Sequence, residues 1–280
     1  MIQARVLPYA LLLLALLPLP VWAHDMWIAP SAFHAQTGER IEVDLQLGHA
    51  GDLEILPRRE RRIVRFEVLE PDGSVRIPGL DGRRPAGFLR PSAPGLHTVI
   101  YESNAAFSEL GGAAFTRYLE EEGLRGALEW RRQHGEESQP GREQYSRSLK
   151  SLLVVHDAAR APLQLNDRAV GLPLELVIET PNFQRADRLR LRVLYAGRPL
   201  AGALVDARQA DEDRARWSGT SDDAGMVEFA SLEPGHLILS TVHMVRADAH
   251  DAEWRTIFST LTFEILERPE VRLAANDGDR

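Results

Sequence analysis

The sequence predicts a mainly β protein of two β-sandwich domains, with a helical insertion in the first domain. Short stretches in which apolar and polar residues alternate recur along the chain, and this two-residue period is typical of half-buried strands. Turn-forming glycine, proline, asparagine and aspartate residues separate these stretches. One stretch, residues 112–134, instead has apolar residues three and four positions apart, which indicates a helix.

Residues 1–23 have the features of a cleaved secretory signal peptide. Arg5 gives a positive start, the apolar stretch Val6 to Val21 follows, and Ala23 completes a small-x-small exit. The apolar stretch has ~16 residues and contains prolines, whereas a membrane-spanning helix needs ~20. We therefore expect cleavage before His24, a periplasmic location, and no membrane insertion after processing.

The first domain is predicted over residues 24–157. Its strands are expected at residues 39–47, 62–69, 86–90, 95–102 and 148–156. We expect Gly123 to break or bend the helix at 112–134, because glycine weakens a helix interior. Residues 135–147 are polar and are expected to form a loop.

The second domain, a compact β-sandwich, is predicted over residues 174–268. A linker is expected at 158–173, where proline, asparagine and glycine are frequent, and a disordered tail at 269–280. The strands of the second domain recur at the spacing typical of sandwiches. They are expected at residues 174–180, 187–196, 203–209, 214–220, 225–230, 236–245 and 256–266.

The composition excludes several classes of function. The chain has 41 acidic residues against 33 basic ones, which argues against nucleic acid and anionic membrane surfaces as partners. It has no cysteine, so disulfides, thiol catalysis and thiolate metal sites are excluded. Because it also lacks a glycine-rich phosphate loop, a Gly-x-Ser-x-Gly elbow and a His-Glu-x-x-His motif, we expect that it is not an enzyme.

Processing would create the most distinctive candidate site. Cleavage before His24 would leave this residue with a free α-amine, which can chelate a metal ion together with Nδ1 of the same imidazole. A further imidazole would complete a three-nitrogen set that suits Cu(II), Ni(II) or Zn(II). The amine has an ordinary pKa of about 7.7–8.0, so a metal can displace its proton near neutral pH. Alternatively, His24 is simply the residue at which cleavage occurs.

Two other histidines are the best candidates to complete this site. His49 follows the alternating apolar residues of the strand at 39–47, and His243 follows those of the strand at 236–245. Each histidine would continue an apolar face to the rim of its sandwich, so we predict a metal site of His24, His243 and His49 where the domains meet. Four other histidines are expected to be solvated and two to be core or edge residues: His34, His134, His236 and His250, and His97 and His156.

Several segments share their pattern with a known family. They are Ala23-His24-Asp25-Met26-Trp27-Ile28-Ala29-Pro30, Pro71-Asp72-Gly73, the segments 91–96, 118–124, 141–147, 171–175 and 243–247, Trp254 and the segment 259–264. Together they resemble an exported bacterial family of unknown function that is labelled nickel-uptake-transporter-like, or NikM-like. The chain departs from the family pattern at Met26, where a larger apolar or aromatic residue is expected. It also lacks the transmembrane segments of a nickel permease.

The resemblance implies a periplasmic metal-binding accessory protein. Its ion would be nickel, cobalt, copper or zinc, and its partner a membrane metal-uptake system or an outer-membrane receptor. The second half also resembles the carboxypeptidase-regulatory or transthyretin-like sandwich, so both domains are expected to be immunoglobulin-like or transthyretin-like. Two alternatives remain open at this point, a metal-free structural or adhesion-type module and a histidine-brace copper oxidase.

Overall fold

The computed structural model describes residues 25–49, 51–157, 165–247 and 249–267. The predicted signal peptide, His24, residues 158–164 of the predicted linker and the predicted tail lie outside these ranges. Within them the chain forms eighteen strands, two α-helices and two short 3-10 turns.

The elements follow one another along the chain as listed here. The first half contains β1 (Met26–Pro30), β2 (His34–Gln36), β3 (Ile41–His49), β4 (Asp52–Leu56), a 3-10 turn (Glu60–Arg62), β5 (Ile63–Glu70), β6 (Gly73–Arg76), β7 (Gly87–Leu89), β8 (Gly95–Ser103), β9 (Ala106–Leu110), α1 (Gly112–Glu121), α2 (Arg125–Gln133) and β10 (Gly141–His156). The second half contains β11 (Leu174–Ile178), a 3-10 turn (Phe183–Arg185), β12 (Arg188–Tyr195), β13 (Arg198–Pro199), β14 (Leu204–Gln209), β15 (Trp217–Thr220), β16 (Met226–Ala230), β17 (Gly235–Arg246) and β18 (Trp254–Ile265).

These strands form two β-sandwiches that share a central sheet. The central sheet has the order β15-β14-β17-β18-β10-β8-β5-β6, and β2 and β9 also pair with β10. A sheet of β1, β3, β4 and β7 completes the first sandwich, and a sheet of β11, β12, β13 and β16 completes the second. The prediction of a mainly β protein with two sandwiches and a helical insertion is therefore confirmed.

Each sandwich has its own hydrophobic core, on opposite faces of the central sheet. Strand alternation in β10 shows this directly, because Leu149 and Leu153 enter the first core whereas Leu152 and Val154 enter the second. Backbone hydrogen bonds nevertheless continue from one half to the other, since β10 pairs in parallel with β18. The division into domains at 24–157 and 174–268 remains a prediction that separate expression of the halves would test.

The helical insertion packs on the strands of the second half. Phe115 and Leu119 of α1 belong to a third buried cluster together with Val242 of β17 and Trp254 of β18. The predicted break at Gly123 is confirmed, since this residue lies between α1 and α2 with a φ of +65°, a left-handed conformation that favours glycine.

The prediction of a loop at residues 135–147 is wrong over its second part, because β10 begins at Gly141. The backbone of this polar segment pairs with β9 on one edge and β18 on the other. Its charged side chains have partners from distant parts of the chain. Arg142 forms an ion pair with Glu253, and Glu143 accepts a hydrogen bond from the Tyr118 hydroxyl at 3.3 Å. The polar residues at the start of β10 therefore belong to a strand whose side chains have partners, and not to a loop.

A buried ion network fastens the segment before β11 to the central sheet. Nζ of Lys150 lies 2.9 Å from Oδ2 of Asp167 and 3.4 Å from Oε1 of Glu175, and all three side chains are at most 2 % exposed. Backbone amides also donate to both carboxylates, among them those of Ile178 to Asp167 and Leu172 to Glu175. The network links the two halves through charge as well as through the sheet.

No helix in the described ranges has the length and apolar character needed to cross a membrane.

Candidate functional site

The open end of the first sandwich contains a cavity of about 250 Å³. One wall is mainly apolar and comes from β1, β3 and β4, with Met26, Leu45, Leu47 and Leu56. The other wall is polar and basic, with Arg59, Arg62, Tyr101, Ser103, Tyr145 and Arg147. Because β1 begins at the cavity, the predicted mature terminus is close to it in sequence.

The start of β1 is held by β3 and by the central sheet. Met26 pairs with Leu47 in antiparallel register, and the next pair is joined by a 3.0 Å hydrogen bond from the Gly48 amide to the Asp25 carbonyl. On the other side, the Thr260 hydroxyl donates to the Met26 carbonyl at 2.9 Å. Hydrogen bonds to β3 and to the central sheet thus hold the backbone that follows His24.

His49, one of the predicted metal ligands, is the last residue of β3. It pairs with Asp52 of β4 across a tight hairpin. Gly48 is required there, because it has a φ of +118° and a Cβ at this position would lie 2.0 Å from the Asp52 carbonyl oxygen. The Gly51 amide donates to the Asp213 carboxylate at 2.8 Å, which fastens the hairpin to the second half.

Charged groups gather around the start of β1. Nε of Arg208 lies 3.7 Å from the Asp25 carboxylate, and its guanidinium lies 4.7 Å from the centre of the Trp27 ring. Burial, followed by the Asp25 and Asp206 carboxylates, raises the pKa of Glu122 well above its ordinary value. Burial also raises the pKa of Asp206, and Asp25 adds to this rise. Two further carboxyl groups therefore lie near Asp25, the first described residue, and the Arg208 guanidinium approaches it.

His243, another predicted ligand, lies on the other face of the central sheet. Its ring lies 4.4 Å from the Tyr195 ring, and its partner in the β17–β18 register is Ile257 of the second core. Burial lowers the pKa of His243. β1 lies against the opposite face, where Thr260 contacts it. In the described part of the chain, the start of β1 therefore lies beside the end of β3, whereas His243 lies on the other face of the central sheet.

The complete metal site remains a prediction, because His24 lies outside the described ranges. Among the residues that the structure describes, no three histidine or acidic side chains are grouped closely enough to hold a metal ion.

A histidine cluster that the sequence interpretation missed lies where β2, β10, β17 and β18 meet. Nδ1 of His34 lies 2.9 Å from Nε2 of His156, and its Nε2 lies 3.4 Å from the Glu264 carboxylate. Nε2 of His236 lies 3.7 Å from the same carboxylate. Burial lowers the pKa of His34, and Glu264 opposes this effect. Residues so far apart in the chain meet only through strand pairing, so no local sequence signal could have shown the cluster.

The family model described as "Domain of unknown function (DUF4198)" matches residues 21–245 of the chain. No curated protein matches the chain.

Similar solved structures are only distantly related to the chain. The D0-D1 domain of Intimin is 11 % identical over 85 % of this chain and 97 % of that one, with a TM-score of 0.21. The D00-D0 domain of Intimin is 8 % identical over 87 % and 100 %, with a TM-score of 0.19. Dimeric latent PorU from Porphyromonas gingivalis is 10 % identical over 84 % of this chain and 20 % of that one, also with a TM-score of 0.19. At these TM-scores the similarities carry no argument.

Proposed function

The chain belongs to the DUF4198 family of domains of unknown function, and from this premise we propose that it is a periplasmic metal-binding accessory protein. Its ion would be nickel, cobalt, copper or zinc, bound by the amine and imidazole of processed His24. The observation that supports the proposal is the β1–β3 register, in which Met26 pairs with Leu47 and Asp25 adjoins Gly48. One further pair would place position 24 opposite His49.

This register gives the geometry that a shared metal needs. Directly opposed residues of antiparallel strands have Cβ atoms about 4.5–5.5 Å apart, which lets two imidazoles reach one ion at about 2.0–2.1 Å. If the alternation of β1 and β3 continued by one residue, positions 24 and 49 would share the face of Met26 and Leu47, which line the cavity. The ion would therefore lie at the mouth of the cavity.

The amine and imidazole of one residue chelate without ordering a loop, and β1 is already fixed. His243 was predicted as a ligand too, but the proposal rests on His24 and His49 because His243 lies on the opposite face.

The wider role is that of a carrier or sensor, not of an enzyme. The partner would be a membrane metal-uptake system or an outer-membrane receptor, as the NikM-like resemblance implies. A transthyretin-like second sandwich would serve as the scaffold.

The test begins with protein purified from the periplasm, whose first residues should be His-Asp-Met-Trp by terminal sequencing. Calorimetric titration with Cu(II), Ni(II), Co(II) and Zn(II) then compares the wild type with His24→Ala, His49→Ala and a variant with one extra residue before His24. We expect all three changes to weaken binding by about tenfold or more, because each removes a nitrogen ligand. The extra residue acts by converting the amine to an amide.

Two controls define the outcomes. His134→Ala changes a histidine that stacks on Trp130, 3.7 Å away, and should leave affinity unchanged. Affinity should fall below pH about 6.5, because the nitrogen ligands must lose their protons. Equal affinity in all variants would instead mean adventitious histidines and favour a metal-free sandwich module. Oxygen consumption with copper and a reductant would favour the copper oxidase.

A further inference from the structure

The chain has 33 lysines and arginines together, and Lys150 is the only lysine among them. Its side chain is 2 % exposed and lies on the same face of β10 as Leu152 of the second core. A buried ion pair alone would suit arginine, whose guanidinium stays protonated. An amine, in contrast, can lose its proton when it is buried and can then act as a nucleophile. Lysine therefore occurs at a position where an amine offers chemistry that arginine lacks.

The amine of Lys150 is in direct contact with the carboxyl group of Asp167. Nζ lies 3.1 Å from Oδ1 and 2.9 Å from Oδ2, so it lies beside the carbon atom that joins these two oxygens. The Asp167 side chain is 0 % exposed, so water is kept away from both groups. Atoms that react in proteins are held about 3–3.5 Å apart before the bond forms. The two groups are thus placed for an amine to attack a carboxyl carbon.

Glu175 is the third buried member of this group and could carry protons. Its Oε1 lies 3.4 Å from Nζ of Lys150. Its carboxylate also accepts hydrogen bonds from the backbone amides of Val170, Gly171 and Leu172, which fix its position. A carboxylate held beside an attacking amine can take a proton from it and pass this proton to the departing group.

Two backbone amides would stabilise the negative charge that develops on Asp167 during such an attack. The Arg168 amide donates to Oδ1 at 2.8 Å, and the Ile178 amide donates to Oδ2 at 2.9 Å. Donors at such distances stabilise the oxyanion of a tetrahedral intermediate. Whichever oxygen departs, the remaining oxygen keeps a donor.

We propose that Lys150 and Asp167 become joined by an amide bond that the folded chain forms by itself. The ammonium first passes one proton to the Asp167 carboxylate, which burial favours because desolvation penalises charged groups. The neutral amine then attacks the carboxyl carbon, a second proton passes through Glu175 to the departing hydroxyl, and one water molecule leaves. A C–N bond thus replaces one C–O bond, and the third proton stays on the amide nitrogen. The reaction needs no oxidant or other reactant.

The bond would link the central sheet covalently to the segment before β11. In a chain without cysteine it would restrict the unfolded state as a disulfide does. It uses no residue of the proposed metal site, so either proposal can fail without the other. Stability alone would not reveal the bond, because loss of Lys150 removes the bond and the ion network alike.

Intact mass spectrometry of the purified wild type tests the inference. We expect a mass that is one water molecule below the value calculated from the sequence, counted from the first residue that terminal sequencing finds. A tryptic digest should yield the segments that contain Lys150 and Asp167 as one joined peptide. Because both measurements use the wild type, they decide the question even if a variant does not fold.

Variants show which groups react. Lys150→Arg keeps the positive charge but has no reactive amine, so it should have its full calculated mass. Glu175→Gln cannot carry the proton, so a larger fraction of the purified protein should remain unlinked. The control Arg188→Gln changes an exposed arginine and should still lose one water molecule. The full calculated mass in the wild type, a water lost from another peptide, or the same loss in Lys150→Arg would each overturn the inference.

Discussion

Replacing Lys150 with methionine should strongly destabilise the protein. The substitution keeps most of the volume of the side chain but removes the cation that lies 2.9 Å from Asp167 and 3.4 Å from Glu175. Both carboxylates would remain at most 2 % exposed and without their cation, a situation that costs about 3–5 kcal/mol. For a chain of this size the loss corresponds to a fall in Tm of roughly 6–20 °C.

Urea and thermal unfolding followed by circular dichroism would measure this effect. The matched control is Arg188→Met, which breaks an ion pair with Glu228 whose side chains are 69 % and 41 % exposed, and should cost less than about 1 kcal/mol. Adding Glu175→Gln to Lys150→Met should recover part of the loss, because one buried charge is then removed. A Lys150→Met variant no less stable than the control would refute the reasoning.

Three further predictions concern the fold. Burial raises the pKa of Glu143, so this residue should reduce the stability of the wild type as the pH rises above about 4.5. Unfolding curves at several pH values should therefore show Glu143→Gln becoming more stable relative to the wild type over that range. A stability difference that does not depend on pH would contradict this. Gly141→Ala should lower the free energy of unfolding by about 1–3 kcal/mol, because the added Cβ would lie 2.2 Å from the Phe115 ring. An unchanged midpoint of urea unfolding would show instead that α1 can move to make room. The predicted domain boundary implies that residues 24–160 and 170–270, expressed separately, each unfold cooperatively, and a half without a cooperative transition would show a shared folding unit.

Strand positions were largely predictable, because alternation is a local signal. Ile41, Val43 and Leu45 share a face in the sequence and are all buried in the first core. The start of β10 was missed, since its polar residues are partnered by distant groups such as Glu253. Sharing of the central sheet by both sandwiches was also missed, because pairing between β10 and β18 leaves no trace in either segment alone.

The candidate site was predictable only in part. His49 was identified from strand alternation and is the last residue of β3, and its role as a metal ligand stays a prediction. His243 has the same local pattern, but the face on which it lies depends on how the sheets stack. The arginines of the cavity come from the 3-10 turn region and from β10, so their convergence could be seen only in three dimensions.

The parallel pairing of β10 with β18 has a consequence for the order in which the chain can fold. Glu143 to Ser151 pair with Trp254 to Thr262, so this edge of β10 has no partner until nearly the whole chain has been made. An open strand edge is prone to pair with other molecules, and contacts so distant in sequence form slowly. We therefore expect completion of the central sheet to be limited by the arrival of β18, and aggregation of the chain to be greatest before that step.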